Sequence, residues 1–152
     1  MMNPTAFLEK PEVKTALTTI RCALRAILPE GSFGEREAAA LAVQNAAVRE
    51  VLCEELQSMS DALGSAVLVD GELFKRHEDG TDTYHSLCGP LPVSRPSFRQ
   101  VGVHNGRIVI ALELAAGLVE GATPALAYSV THGYAQHDMR IHHQTLEADH
   151  RV

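Results

Sequence analysis

The residues best suited to bind a ligand are the three arginines of the stretch 91–110, which contains no acidic residue. The whole chain of 152 residues has a formal net charge of −6, so this stretch is a local basic exception. In a β-strand alternate side chains share one face, and the guanidinium fork fits phosphate oxygens. Antiparallel neighbours could add other basic residues to a single patch. The candidate contacts to duplex DNA, called the basic ribbon below, are Arg95, Arg99, Arg107, Lys75 and Arg76.

A second interpretation of the basic ribbon requires no ligand. Charged side chains on an edge strand prevent it from pairing with other sheets, and the spacing alone favours this interpretation. A nucleic-acid-binding protein is usually basic overall, whereas this chain is acidic. Any contact with DNA would therefore be local, and the rest of the molecule would repel phosphate.

The C-terminal part of the chain is rich in histidine, a common metal ligand. Asp138 and His142 have the i,i+4 spacing that brings two ligands onto one face of a helix. No second motif completes a metal site, so surface histidines are the favoured interpretation and a small metal-dependent enzyme is an alternative. The sequence also contains no G-x-S-x-G nucleophile motif. We therefore expect no catalytic activity and no cofactor.

Two helices are predicted in the helical part, 11–64. The first covers 11–28 and has an apolar stripe at steps of 4, 3, 4 and 3, namely Val13, Leu17, Ile20, Leu24 and Ile27. The second covers 33–63, because Ser32 and Glu35 have the spacing of a capping box. At 1.5 Å per residue it would be roughly 45 Å long, and projecting helices of this length often dimerise. Self-association through the 33–63 helix is therefore expected, although its alanines could simply favour helix.

The residues 66–114 are predicted to form a meander of four antiparallel strands. Asp79-Gly80 and Asn105-Gly106 are dipeptides typical of hairpin turns, and they should join the strands in pairs. The predicted strands are 66–77, 81–87, 93–104 and 107–114.

Three features refine the predicted sheet and the segment after it. Pro96 has no N–H to donate, so the third strand should lie at an edge there. Glu113 should face solvent at the end of a buried fourth strand. A last helix is predicted over 123–139, and a polar tail over 140–152. The fold class is thus α+β, a single domain over 1–139 with N-terminal helices, a four-stranded antiparallel meander and a C-terminal helix.

Composition favours a cytoplasmic protein. The chain contains no apolar run of the ~18 residues needed to span a membrane. Its N-terminus lacks the basic start and apolar core of a secretion signal. Cys22, Cys53 and Cys88 are far apart and odd in number, which argues against a disulfide framework.

The segment "DTYHSLCGPLPVSRPSFRQVG" and the later "EGATPALAY" resemble the amino-terminal region of insertion-sequence transposases of the Kra type and their uncharacterised relatives. The resemblance covers about 33–139. It depends on the skeleton Tyr84, Gly89, Val93, Arg95, Phe98 and Arg99. It implies that Arg95 and Arg99 contact DNA or hold the module together.

The resemblance also implies what this chain lacks. In that family an RNase-H-like catalytic domain with metal-binding acids lies downstream, and this chain ends at Val152. Many relatives place paired cysteines after the arginine strand, whereas here Gln100 to Val103 follow Arg99. The expected function is a truncated, non-catalytic module that associates with DNA or with its own kind. The alternative is an oligomeric structural protein that does not bind DNA.

Overall fold

The structure is a computed structural model that describes residues 4–133, and it confirms the α+β class. Of the predicted helix 123–139, the structure describes residues 124–133, which form helix α5. The predicted polar tail 140–152 lies outside the described residues. The other helices are α1 (Pro4–Leu8), α2 (Pro11–Ile27), α3 (Phe33–Asp61) and α4 (Ala111–Ala116). The strands are β1 (Ala66–Val69), β2 (Glu72–Ser86), β3 (Gly89–Gln100) and β4 (Ile108–Val109).

The two long helices begin where the sequence predicts. Pro11 occupies the first turn of α2, where its missing N–H costs no hydrogen bond. At the start of α3 the N–H of Ser32 donates to Oε2 of Glu35 at 2.7 Å, and the N–H of Glu35 donates to Oγ of Ser32 at 3.3 Å. These reciprocal bonds form the capping box. The hydrogen bonds from Ser32 also hold the pKa of Glu35 below its usual value.

The sheet is a four-stranded antiparallel meander with the order β1-β2-β3-β4, as predicted. The predicted hairpin turn at Asp79-Gly80 is wrong, because both residues lie inside β2, opposite Pro96 and Arg95. The first turn is instead Asp70-Gly71, with φ angles of 53° and 80°. Two positive φ values suit a tight turn that follows the twist of the strands.

The choice of turn follows from burial. Turning at 70–71 and again at 87–88 makes β2 and β3 pair along their whole length, and it places Tyr84 opposite Leu91. Both side chains are fully buried. The third strand therefore begins at Gly89, four residues before the predicted start at Val93.

The predicted fourth strand is short. Only Ile108 and Val109 pair with β3, and from Ala111 the chain forms α4. The run Ala-Leu-Glu-Leu-Ala-Ala consists of strong helix formers. A short apolar run does not distinguish a buried strand from a buried helix by its pattern alone, which explains the error.

Two clusters of buried residues stabilise the fold. One contains Leu56 of α3 with Tyr84, Leu91, Val93 and Leu112. The other contains Phe74, Phe98 and Ala111, and Leu63 packs against both clusters. A register shift between Arg76 and Glu78 separates the two clusters along β2, as a β-bulge does.

The edge of β3 is covered by α3. The N–H of Ser94 donates to Oε1 of Gln57 at 2.9 Å, and its carbonyl accepts from Oγ of Ser60 at 2.7 Å. Both backbone groups of Ser94 therefore point away from β2. Pro96 is two residues further along the strand, so its missing N–H faces the same edge, which confirms the predicted edge position.

The chain forms two compact units, 1–46 and 47–152, with the division inside α3. The first, called the helical unit below, contains α1, α2 and the start of α3. The second contains the rest of α3, the sheet and the later helices. The expectation of a single domain over 1–139 stays a prediction, because part of that range lies beyond the described residues.

Candidate functional surfaces

The sheet brings two residues of the basic ribbon directly together. Lys75 and Arg99 are cross-strand partners on β2 and β3, and both are exposed. Neither forms an ion pair with another residue of 4–133. Like charges directly opposite each other on a sheet repel, so this pair, called the Lys75–Arg99 face below, favours a negatively charged neighbour.

Arg76 is held by an acidic neighbour on its own strand. Its Nε and Nη2 donate to Oδ1 of Asp79 at 2.9 and 2.7 Å. The pair is exposed, so it contributes little stability. Asp79 nevertheless balances the positive charge of Arg76, which the basic ribbon would otherwise present to DNA.

Arg107 does not join the Lys75–Arg99 face. Arg99 pairs with Ile108, so by alternation Arg107 lies on the opposite face of the sheet. Its guanidinium lies 5.3 Å from the ring centroid of Phe74, and Nη2 is 3.9 Å from carboxylates of both Asp70 and Glu72. Its charge is thus shared with an aromatic ring and two acids.

Arg95 is the centre of a polar cluster, called the Arg95 cluster below. Its Nη2 donates to Oδ2 of Asp82 at 2.6 Å and lies 3.9 Å from Oε1 of Glu113. The same Oε1 accepts a hydrogen bond from the hydroxyl of Tyr84 at 3.0 Å. The side chain of Arg95 is only 17% exposed, and its buried Nε has no hydrogen-bond partner among the described residues.

The electrostatics of the Arg95 cluster shift the pKa values of Tyr84, Asp82 and Arg95. Burial, and then the hydrogen bond to Glu113, raise the pKa of Tyr84 well above its usual value. The hydrogen bond from Arg95, and then the N–H of Thr83, lower the pKa of Asp82. Burial lowers the pKa of Arg95, but the bond to Asp82 and the nearby charges outweigh it and raise the pKa overall.

This geometry makes the Arg95 cluster a structural junction. Tyr84 stays neutral at ordinary pH, so it can donate a hydrogen bond but cannot act as a base. Glu113 lies in the first turn of α4 and binds Tyr84, so the prediction that it faces solvent at a strand end is wrong. The cluster therefore attaches α4 to the hairpin of β2 and β3. Alternation along β2 already places Asp82 and Tyr84 on one face, a signal that could have suggested acidic neighbours for Arg95.

The apolar stripe predicted for α2 is present but uncovered. None of the 17 residues of α2 is buried, and Ile20, at the centre of the stripe, is 53% exposed. Between α2 and the start of α3 lies an open groove of about 400 Å³, called the α2 groove below. Its lining residues are Leu17, Ile20, Arg21, Leu24, Arg25, Leu28 and Ala40.

The apolar stripe of α3 is covered at one end only. Leu56 is buried and Leu52 packs against the same cluster. Further towards the N-terminus, Leu41 is 52% exposed and Val48 is 39% exposed. The 33–63 helix, for which self-association is predicted, therefore has exposed apolar side chains in its first half.

The weak metal candidates Asp138 and His142 lie outside the described residues. Within residues 4–133, no three side chains of His, Cys, Asp or Glu are grouped so that they could hold a metal ion. In the same part of the chain, no helix combines the length and the apolar character needed to cross a lipid bilayer.

Comparisons with protein-family models, with curated proteins and with solved structures return no match for this chain. The resemblance to Kra-type transposases therefore stays a hypothesis from the sequence. The function is inferred instead from the α2 groove and the Lys75–Arg99 face.

Proposed function

We propose that this protein is a non-catalytic assembly module that associates with its own kind through the helical unit. The observation that carries the proposal is the uncovered stripe of α2. Its spacing is that of a core-facing helix, yet no residue of α2 is buried. A second copy would remove this stripe from water.

The distribution of charge supports the helical unit as the contact surface. Residues 1–46 contain five Lys/Arg and five Asp/Glu, which gives a net charge of zero. The remaining residues contain 8 basic and 14 acidic residues, so they carry the entire net charge of −6. Two copies therefore repel through residues 47–152 and meet without net repulsion through the helical unit.

The apolar stripe of α2 is large enough to contribute to self-association. Full burial of one Leu or Ile side chain contributes about 1.5–3 kcal/mol. The stripe supplies three exposed positions from each copy, Leu17, Ile20 and Ile27, each already about half covered, because Val13 and Leu24 are half-buried in the single chain. Association of two proteins costs about 4–15 kcal/mol. A weak to moderate complex follows, rather than an obligate one.

Sedimentation equilibrium across a range of protein concentrations tests the proposal. The natural protein should show concentration-dependent association, and Ile20→Asp in the middle of the stripe should abolish it. Thr18→Asp is the matched control, because Thr18 is an exposed residue of α2 that lies roughly 140° around the helix from the centre of the stripe. A natural protein that stays monomeric at high concentration would overturn the proposal, as would equal effects of the two substitutions.

DNA association is a second candidate function, and the Lys75–Arg99 face is the observation that favours it. Two unpaired cations on neighbouring strands can contact successive phosphates without reading sequence. The resemblance to transposases gives this candidate its biological setting. Arg95, Arg76 and Arg107 already have acidic neighbours, so the contact would be smaller than the whole basic ribbon.

Fluorescence anisotropy with a labelled duplex at increasing salt tests this candidate. Binding should weaken with salt, and Lys75→Ala/Arg99→Ala should reduce both the affinity and the salt slope. Arg76→Ala is the control, because its charge is already balanced by Asp79. If no binding appears at low salt, this second candidate function is wrong.

A further inference from the structure

We infer that the α2 groove of one copy receives the first half of α3 from a second copy, and that the exchange is reciprocal. The inference deepens the proposed self-association and depends on it, since it names the occupant of the groove and the charges that orient it.

The residues that line the α2 groove favour an occupant that is both apolar and acidic. Leu17, Ile20 and Leu24 supply an aliphatic floor. Arg21 and Arg25 line the same groove, and within residues 4–133 neither forms an ion pair. Two unpaired guanidinium groups beside apolar side chains favour an occupant with a carboxylate close to its own apolar residues.

The first half of α3 has this combination. Glu37, Leu41 and Val48 follow at steps of four and seven residues, so they lie within about 40° of one another around the helix. Leu41 and Val48 are both exposed, and Glu37 forms no ion pair with another described residue. Glu35 is not available in the same way, because its carboxylate caps the helix at Ser32.

Reciprocity follows because the α2 groove and the acidic end of the occupant, Glu37, both belong to the helical unit. The α2 groove and Glu37 belong to helices separated by a short connection, residues 28–32. Two copies related by a two-fold axis satisfy both contacts at once, which closes the assembly as a dimer. The resulting contact joins four helical segments, an arrangement that buries apolar stripes effectively.

Complementary charge variants test the pairing. Glu37→Arg alone places positive charges opposite Arg21 and Arg25 of the other copy, and Arg21→Glu/Arg25→Glu alone places negative charges opposite Glu37. Each variant alone should dimerise about tenfold or more weakly than the natural protein. An equimolar mixture should form a heterodimer with an affinity within about threefold of the natural dimer, because both contacts are then complementary.

The mixture excludes effects inside one chain, because each chain in it keeps its own repulsive pair. Helix content by circular dichroism should equal that of the natural protein for every variant, since all three residues are exposed and unpaired. A natural dimer combined with no recovery in the mixture would overturn this inference and leave the proposed self-association standing. A monomeric natural protein would overturn both the inference and the proposed self-association. Binding of an apolar dye to the α2 groove of the natural protein under dimeric conditions would also overturn the inference, because the groove would then be empty.

Discussion

Helix α2 and the second half of α3 each have apolar residues at helical spacing, but only those of α3 are covered. Leu52 and Leu56 of α3 pack against the sheet, whereas Leu17 and Ile20 of α2 remain largely exposed. The polar residues differ as well. Gln57 and Ser60 hydrogen-bond the edge of β3, but the threonines of α2 bond only to the preceding turn of their own helix. An apolar stripe thus predicts that one face of a helix will be buried. The hydrogen bonds of the polar residues beside the stripe indicate which element buries it.

The largest expected effect is on stability and separates these two helices. Leu56→Ala should lower the free energy of unfolding by about 2–5 kcal/mol, because it opens a cavity beside Tyr84 and Leu91. Leu17→Ala should change it by less than about 0.5 kcal/mol, because the side chain is already exposed. Urea unfolding at a concentration where the protein is monomeric measures both. A large effect of Leu17→Ala on the monomer would show that α2 is covered within one chain.

The same contrast divides the two cationic sites of the sheet. Arg95→Met should destabilise by about 1.5–3 kcal/mol, because Asp82 loses a charged hydrogen-bond donor and Glu113 loses a nearby positive charge. Lys75→Met should stabilise by a few tenths of a kcal/mol, because it removes the repulsion with Arg99. Thermal unfolding of both variants provides the measurement. If Arg95→Met does not lower the melting temperature, the Arg95 cluster is not the structural junction described above.

These contrasts also show what the sequence can predict. Spacing and capping were sufficient for α2, for the start of α3 and for a four-stranded meander, because they depend on neighbours in the chain. The turns were not, since two Asp-Gly dipeptides compete and the pairing of Tyr84 with Leu91 decides between them. The basic ribbon was predicted from the charges of several strands, but the acids beside Arg95 come from the neighbouring strand and from α4, and those near Arg107 come from the first turn and the start of β2. Such contacts depend on the register of the sheet, which local patterns do not fix.

A smaller effect is expected from the hydroxyl that completes the Arg95 cluster. Tyr84→Phe keeps the buried ring and removes the hydrogen bond to Glu113, so it should destabilise by about 1 kcal/mol. Because the pKa of Tyr84 is raised in the folded protein, its contribution is complete below the ordinary tyrosine pKa of about 10 and is lost progressively as the pH rises from there through the raised pKa of the folded state. Urea unfolding at pH 8 and at pH 11 should therefore show a smaller difference between the two proteins at the higher pH. An equal or larger difference at pH 11 would contradict the assignment.

The smallest effect concerns Asp82 and tests whether Arg95 acts through its charge. The folded protein lowers the pKa of Asp82, so the carboxylate stabilises the fold above its ordinary pKa of about 4, and the contribution is lost as the pH falls through the lower, folded value. Asp82→Asn should therefore reduce stability at pH 6, and its effect should shrink as the pH falls below the ordinary pKa of Asp82. Asp79→Asn is the matched control, because the exposed pair with Arg76 contributes little across this pH range. Equal acid sensitivity of the two variants would mean that Arg95 stabilises the sheet mainly through the packing of its aliphatic chain, and that the difference between the two arginines is one of burial alone.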